Sequence, residues 1–203
     1  MNKRIALGCG VLALVTLVIG GLWIASSYNR LVGLDQAVQA QWAQVENVYQ
    51  RRADLIPNLV ETVKGAAAFE QGTLIAVAEA RAKVGQISAQ GLQNVINDPE
   101  QFRKFQEAQG ALSSALSRLL VVTEQYPDLK ATQAFRDLQV QLEGAENRIT
   151  VERMRFNEVA QAFNTKRNTF PTVVIAGLFG SKFAEKPYFK AQEGAETVPK
   201  VKF

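Results

Sequence analysis

From Ile5 to Ala25 the chain carries 21 consecutive residues without a charge. Wound as a helix, such a run rises about 30 Å, the thickness of a bilayer's hydrocarbon core. Lys3 and Arg4 stand just before it, and past Ser27 the sequence is polar enough for water. This predicts a soluble domain held to a membrane by an N-terminal anchor, residues 1–27. Two other readings fit less well. A cleaved signal ending near Ala25-Ser26-Ser27 needs a shorter apolar run, and Leu22-Trp23-Ile24 lies where that run should already be ending. A lipoprotein signal ending at Cys9 leaves too few residues before it for an apolar core. Basic residues collect before the span, and only Arg30 follows closely, so the expected orientation has the N-terminus in the cytoplasm and the domain outside. Trp23 and Tyr28 bracket the outer end of the span and suit the headgroup layer.

Charge and cysteine use exclude several classes. The chain has 23 Lys and Arg against 19 Asp and Glu; without Lys3 and Arg4 the balance is 21 − 19 = +2, so the domain is near neutral. That is not the basic face a nucleic-acid binder presents, and no nucleic-acid partner is expected. Cys9 is the single cysteine and histidine is absent. The commonest general base and the commonest nitrogen ligand for metals are therefore missing, and neither a zinc site nor a cofactor is expected.

From Tyr28 onward the apolar period is helical. Val38, Trp42, Val45, Tyr49, Arg52, Ile56, Leu59 and Val63 recur at alternating steps of four and three, one stripe on one helix face. The stripe keeps phase through Pro57, which predicts one helix kinked there; the alternative is a new helix capped by Asp54. A break is expected between Gly65 and Gly72. A second helix follows from about Thr73 to Ser88, with Leu74, Val77, Arg81, Val84 and Ser88 on its stripe. A third opens with Asp98 as cap and Pro99 in its first turn, carries Phe102, Phe105, Gln109, Leu112, Leu116, Leu119, Thr123 and Tyr126, and stops before Pro127. The fourth runs from about Asp128 to Asn168 on Phe135, Leu138, Leu142, Ala145, Ile149, Glu152, Phe156, Val159 and Phe163. The expected fold is all-α: a single N-terminal transmembrane helix, then an antiparallel up-and-down four-helix bundle over 28–168, two helices long and two shorter.

An even number of passes brings the chain back to the membrane. There it meets an apolar stretch, Phe170 to Gly180, too short to span. Residues 169–190 are read as a segment that docks on the membrane interface, with Phe170 and Phe179 in it and Lys182, Lys186 and Lys190 toward anionic headgroups, or that packs on the bundle or a neighbouring subunit. Residues 191–203, rich in charge and glycine, are expected to be disordered.

If the two long helices are antiparallel, positions summing to about 196 lie level. Arg51, Arg52 and Asp54 then fall beside Glu143, Glu146 and Arg148, and Glu152 is placed to join through Arg153 or the first helix. Arg52 sits on the apolar stripe, so its guanidinium needs a carboxylate partner. This predicts a polar network at mid-bundle, serving either as a site or as the ion cluster that fixes helix register. A hydrolase using Glu143 and Glu146 is a further reading, and paired carboxylates alone are weak support for it.

Three stretches together resemble the LemA family of bacterial membrane proteins. They are Tyr28-Asn29-Arg30-Leu31-Val32 through Tyr49–Val60 to Val63-Lys64-Gly65; Glu124–Ala131 around Tyr126-Pro127; and Leu142–Ile149, continued by Arg153, Phe156-Asn157 and Phe163-Asn164. The chain departs from that family's pattern at Ala67–Glu70, where tyrosine and histidine are frequent, and at Phe156 and Phe163, where tyrosine is frequent. The resemblance implies a single-span protein with a helical bundle in the bacterial cytoplasmic membrane. One relative takes part in building magnetosome membranes, which hints at membrane organisation, and no activity carries over. The function expected is a non-enzymatic membrane scaffold that self-assembles through apolar surface left over by the long helices. The alternative is an accessory subunit of another membrane protein, such as a transporter or protease. The expected partners are the lipid bilayer and copies of the chain itself, or, on the alternative reading, that other membrane protein.

Overall fold

The structure, a computed structural model, describes residues 3–64, 71–89 and 92–190. One helix, α1, extends from Lys3 to Lys64, 62 residues and about 93 Å long at 1.5 Å per residue. The apolar run and the first stripe are thus parts of a single rod, with no break at residues 27–28 where the sequence suggests a domain boundary. The helix is long and apolar enough to cross a membrane, and only 6% of its most apolar window is buried by the rest of the chain. Next come α2 (Gln71–Ala89), a 3-10 turn (Leu92–Asn97), α3 (Pro99–Thr123), a single turn α4 (Pro127–Lys130), α5 (Gln133–Asn168), α6 (Thr172–Leu178) and a second 3-10 turn (Gly180–Phe183). An extended strap, residues 184–190, follows. Among the described residues there is no strand. The loop expected at 65–72 lies mostly outside the described residues, and so does the tail 191–203.

α1 passes through Pro57 without interruption, so Asp54 caps no new helix. Proline lacks the N–H that would bond to the Ala53 carbonyl four residues back. Arg81 on α2 supplies a substitute, its Nε donating to that oxygen at 3.4 Å. Arg81 is accordingly exposed, and Ala80 takes its place on the buried face of α2. Asp98 caps α3 as the sequence predicts, its Oδ1 accepting from the N–H groups of Glu100 at 2.8 Å and Gln101 at 3.3 Å. The fourth expected helix divides in two. Thr132 interrupts it, and its Oγ1 accepts from the Phe135 N–H at 3.4 Å, starting α5 afresh; a threonine cap of this kind competes with continued helix.

All eight residues of the α1 stripe, Val38 to Val63, are buried. They meet two apolar clusters. The one far from the apolar span joins Ile56, Leu59 and Val63 to Leu74, Val77 and Val84 of α2, Leu112 and Leu119 of α3, and Phe135 and Leu142 of α5. The one near the span is aromatic, with Trp42, Phe102, Phe105, Phe156, Phe163, Phe183 and Phe189. α2 reaches it with Ile87 in its last turn, and Ala176, Phe183 and Phe189 from the C-terminal segment close the cluster. The C-terminal segment thus covers part of the apolar surface of the long helices, while Ile75, Val121, Val140 and Met154 stay exposed. The Trp42 ring centroid lies 5.2 Å from Phe105 and 5.5 Å from Phe156, both edge-on, contacts worth about 0.5–1.5 kcal/mol each beyond area burial.

Candidate functional site

Two places gather polar or exposed apolar groups with a specific arrangement. The first is mid-helix. Arg52, 1% exposed, projects from the α1 stripe into the core. Its Nη1 donates to Glu146 Oε1 on α5 and to Ser113 Oγ on α3, each at 2.7 Å, and its Nη2 donates to the Gln109 side-chain oxygen on α3. The guanidinium carbon also lies 5.2 Å from the Tyr49 ring centre. Burial pushes the Tyr49 hydroxyl's pKa up, and the nearby Arg153 and Arg52 charges oppose that rise. Moving from Gln41 to Arg52 on α1 moves from Glu152 back to Glu146 on α5, since Gln41 Nε2 donates to Glu152 Oε2 at 2.6 Å.

Of the six residues placed in this network by sequence, only Arg52 and Glu146 meet. Arg51 and Arg148 are exposed. Asp54 accepts from Gln50 one turn away at 2.7 Å, and Glu143 accepts from Gln139 at 3.1 Å, both on the surface. Glu152 pairs with Gln41 and Arg155 and stays outside the cluster. The reason is helical phase: adjacent positions on one helix point about 100° apart, so residues level in height need not share a face. The partners that do complete the shell, Gln109 and Ser113, come from α3. Gln109 was visible as a polar break in the α3 stripe.

The second place is the end of α5 next to the apolar span. α6 is two-faced: Thr172, Ile175 and Ala176 are buried, while Phe170 (79%) and Leu178 (77%) stand out in solvent with Val174 and Phe179. Phe179 reaches Tyr28, ring centres 4.8 Å apart, and Phe183 meets the same ring at 5.5 Å. Lys182 sits over the Tyr28 ring and donates to its hydroxyl. Trp23, 40% exposed, lies one and a half turns before Tyr28 on α1. Lys186 does not face outward with Lys182. It is buried, its Nζ 2.6 Å from Asp35 Oδ1 and donating at 2.6 Å to Asn97 Oδ1, because the strap turns it inward between α1 and α5.

Among the described residues no three His, Cys, Asp or Glu side chains converge on a possible metal site. A shallow groove between α1 and α5, lined by Arg30, Leu34, Glu158, Thr165 and Lys166, is open to solvent and carries both charge signs.

The sequence profile of the LemA family matches residues 41–203, which includes every contact to Arg52 and the whole C-terminal segment. The chain belongs to the LemA family. Similar proteins include the magnetosome protein MamQ of Magnetospirillum gryphiswaldense, 26% identical over 96% of this chain and 75% of the relative. MamQ 1 and MamQ 2 of Paramagnetospirillum magneticum are each 27% identical over 84% of this chain and 67% of their own length. Protein LemA of Metamycoplasma hominis is 24% identical over 73% of this chain and 63% of its own. The Phe-Asn doublets quoted for the family resemblance, Phe156-Asn157 and Phe163-Asn164, sit one heptad apart. In this LemA protein both phenylalanines are buried and both asparagines bind the strap. That repeat was the sequence signal for the strap's docking residues.

Proposed function

We propose that this LemA-family protein is a non-enzymatic scaffold, anchored in the bacterial cytoplasmic membrane with its bundle outside the cytoplasm. It assembles with copies of itself and touches the lipid surface at two points. One foot is the apolar part of α1; the other is the outer face of α6. Between them the soluble part forms an antiparallel four-helix bundle that stands on the membrane. Arg52 and its partners fix the register of that bundle, a known use of polar groups in helical assemblies. The similarity to magnetosome proteins supports a role in organising membrane.

The observation that carries this reading is the contact of Phe179 and Phe183 with Tyr28. It holds the exposed Phe170, Val174 and Leu178 at the level where α1 leaves its apolar run. A two-faced helix of that kind suits the interface between headgroups and acyl chains.

The test first removes the single cysteine. In a Cys9→Ser background, Leu178→Cys carries a spin label, and the protein is reconstituted in anionic vesicles. Contact with lipid predicts high accessibility to oxygen and low accessibility to a water-soluble nickel reagent. A label at exposed Val140 on the far part of α5 should show the reverse. Equal water exposure at both positions refutes the second foot. Self-assembly predicts that two differently tagged copies co-purify after mild detergent extraction, and single-copy particles refute it.

A further inference from the structure

Residues 184–190 have no helix or strand of their own, yet they are held at many points. Asn164 clamps Lys186 like a backbone partner: its Nδ2 donates to the Lys186 carbonyl at 2.8 Å and its Oδ1 accepts from the Lys186 N–H at 2.9 Å. Asn157, two turns back on α5, does the same for Phe189, at 2.9 and 2.8 Å. Arg153 Nη2 donates to the Lys190 carbonyl at 3.0 Å, and Arg167 Nε to the Phe183 carbonyl at 2.6 Å. Three side chains of one helix therefore read the strap's backbone, and a fourth, Arg167, fixes the residue just before it.

Two slots read its side chains. Lys186 enters a slot made by Asp35 of α1, Asn97 before α3 and the Phe163 ring, 5.1 Å from its centre. Phe189 enters an aromatic slot, with ring centres of Phe102 at 4.7 Å, Phe156 at 5.5 Å and Trp42 at 6.2 Å, and the Arg153 guanidinium 4.7 Å from its own. One slot for a cation and one for an aromatic ring, three residues apart beneath a row of backbone clamps, is how a protein holds an extended peptide.

We propose that this face of α1, α3 and α5 is a peptide receptor whose occupant passes between copies: the strap of one chain fills the groove of another. The inference rests on the self-assembly reading and supplies its contact. The strap hangs from a corner at Gly180, whose φ of 51° is a conformation that favours glycine. The strap contacts and that of Phe183 all lie beyond Gly180, so exchange about that corner replaces each with an identical one, and domain swapping of this kind has little thermodynamic cost. Anchors in a shared membrane raise the local concentration of straps around each groove.

The whole chain, labelled separately with donor and acceptor dyes and co-reconstituted in vesicles, tests this by energy transfer. A peptide of residues 182–190 added in excess should abolish most of the transfer, and the same peptide with Lys186→Ala and Phe189→Ala should be at least tenfold less potent. Chains carrying N157A/N164A (strap intact, groove disabled) or K186A/F189A (groove intact, strap disabled) should each transfer little alone and regain transfer when mixed. The peptide arm uses the unaltered chain, so it decides the matter even where a variant folds poorly. No transfer between wild-type copies removes self-assembly and the exchange with it. Strong wild-type transfer that neither the peptide nor the variants change leaves self-assembly standing and overturns the exchange alone.

Discussion

Replacing Glu146 by alanine strands the Arg52 guanidinium in the core. Arg52 cannot shed its charge, and at 1% exposure it cannot reach water without moving a helix. Losing one partner of a fully buried ion pair costs about 3–5 kcal/mol. Here the Glu146 side chain is 44% exposed, so water can enter its place, and Gln109 and Ser113 still accept from the guanidinium. The expected cost is therefore at the lower end, about 3 kcal/mol. For a chain of this size each kcal/mol moves Tm by about 2–4 °C, so E146A should melt roughly 6–12 °C below the wild type. Helix content followed by circular dichroism in detergent, which shelters the apolar part of α1, gives the melting curve. Arg52→Met alone removes the donor from the buried Gln109 oxygen, a loss of about 1–3 kcal/mol. The two changes share one site, so they should not add: R52M/E146A should be more stable than the sum of the singles by at least about 1 kcal/mol. If E146A melts within about 2 °C of the wild type, or the double variant shows simple additivity, the buried pair does not hold the helices in register.

Burial raises the Glu46 pKa above its usual 4.5, partly offset by the Trp42 indole beside it. The folded chain then holds that proton more readily than the unfolded one, so this contribution to stability is full below pH 4.5 and is lost as pH rises through the raised value. Glu46→Gln should raise Tm at pH 7, modestly because the group is half in water, and the gain should vanish in melts below pH 4.5. Arg81→Met should remove the donor that serves the Ala53 carbonyl left open by Pro57, lowering stability by about 1 kcal/mol; the same change in a Pro57→Ala background should cost less, which chemical unfolding curves would read. Asp98→Ala should cost about 0.5–2 kcal/mol through the lost cap of α3, and Asp98→Asn should recover most of it.

The long helices were legible because their stripes obey one period over many turns. Every α1 position named from Val38 to Val63 is buried, and so are Phe102, Phe105, Gln109 and Leu112 on α3. The Asp98-Pro99 start was legible from local chemistry alone. The division at Thr132 was not, because a single threonine cap competes with a helix pattern that continues on both sides of it. In the polar cluster, height along the helix was read correctly for Arg52 and Glu146, while height without phase misplaced Arg51, Asp54, Glu143 and Arg148. The strap was hidden for another reason. Ala184 to Lys190 has no periodicity, and its order comes from side chains one helix away. Lys186 looked like a surface lysine because nothing local reveals Asp35, which is 151 positions earlier in the chain.

A single membrane helix leaves a soluble domain free to turn about the helix axis. α1 has no break between its apolar run and the core, so tilting the bundle means bending or tilting the rod itself. The outer face of α6 adds a second point of contact on the proposed reading, and two points fix the turn about the axis where one does not. All copies in one membrane would then present the strap and its groove at the same height and in a related direction. On that reading the shared geometry lowers the cost of exchange between neighbours, since it restricts the search for a partner's groove to the membrane plane. Removing the second foot with F170D/L178D should therefore weaken energy transfer between copies while leaving the Lys186 and Phe189 contacts chemically intact. Unchanged transfer in that variant would separate assembly from orientation and confine the role of α6 to covering its own core.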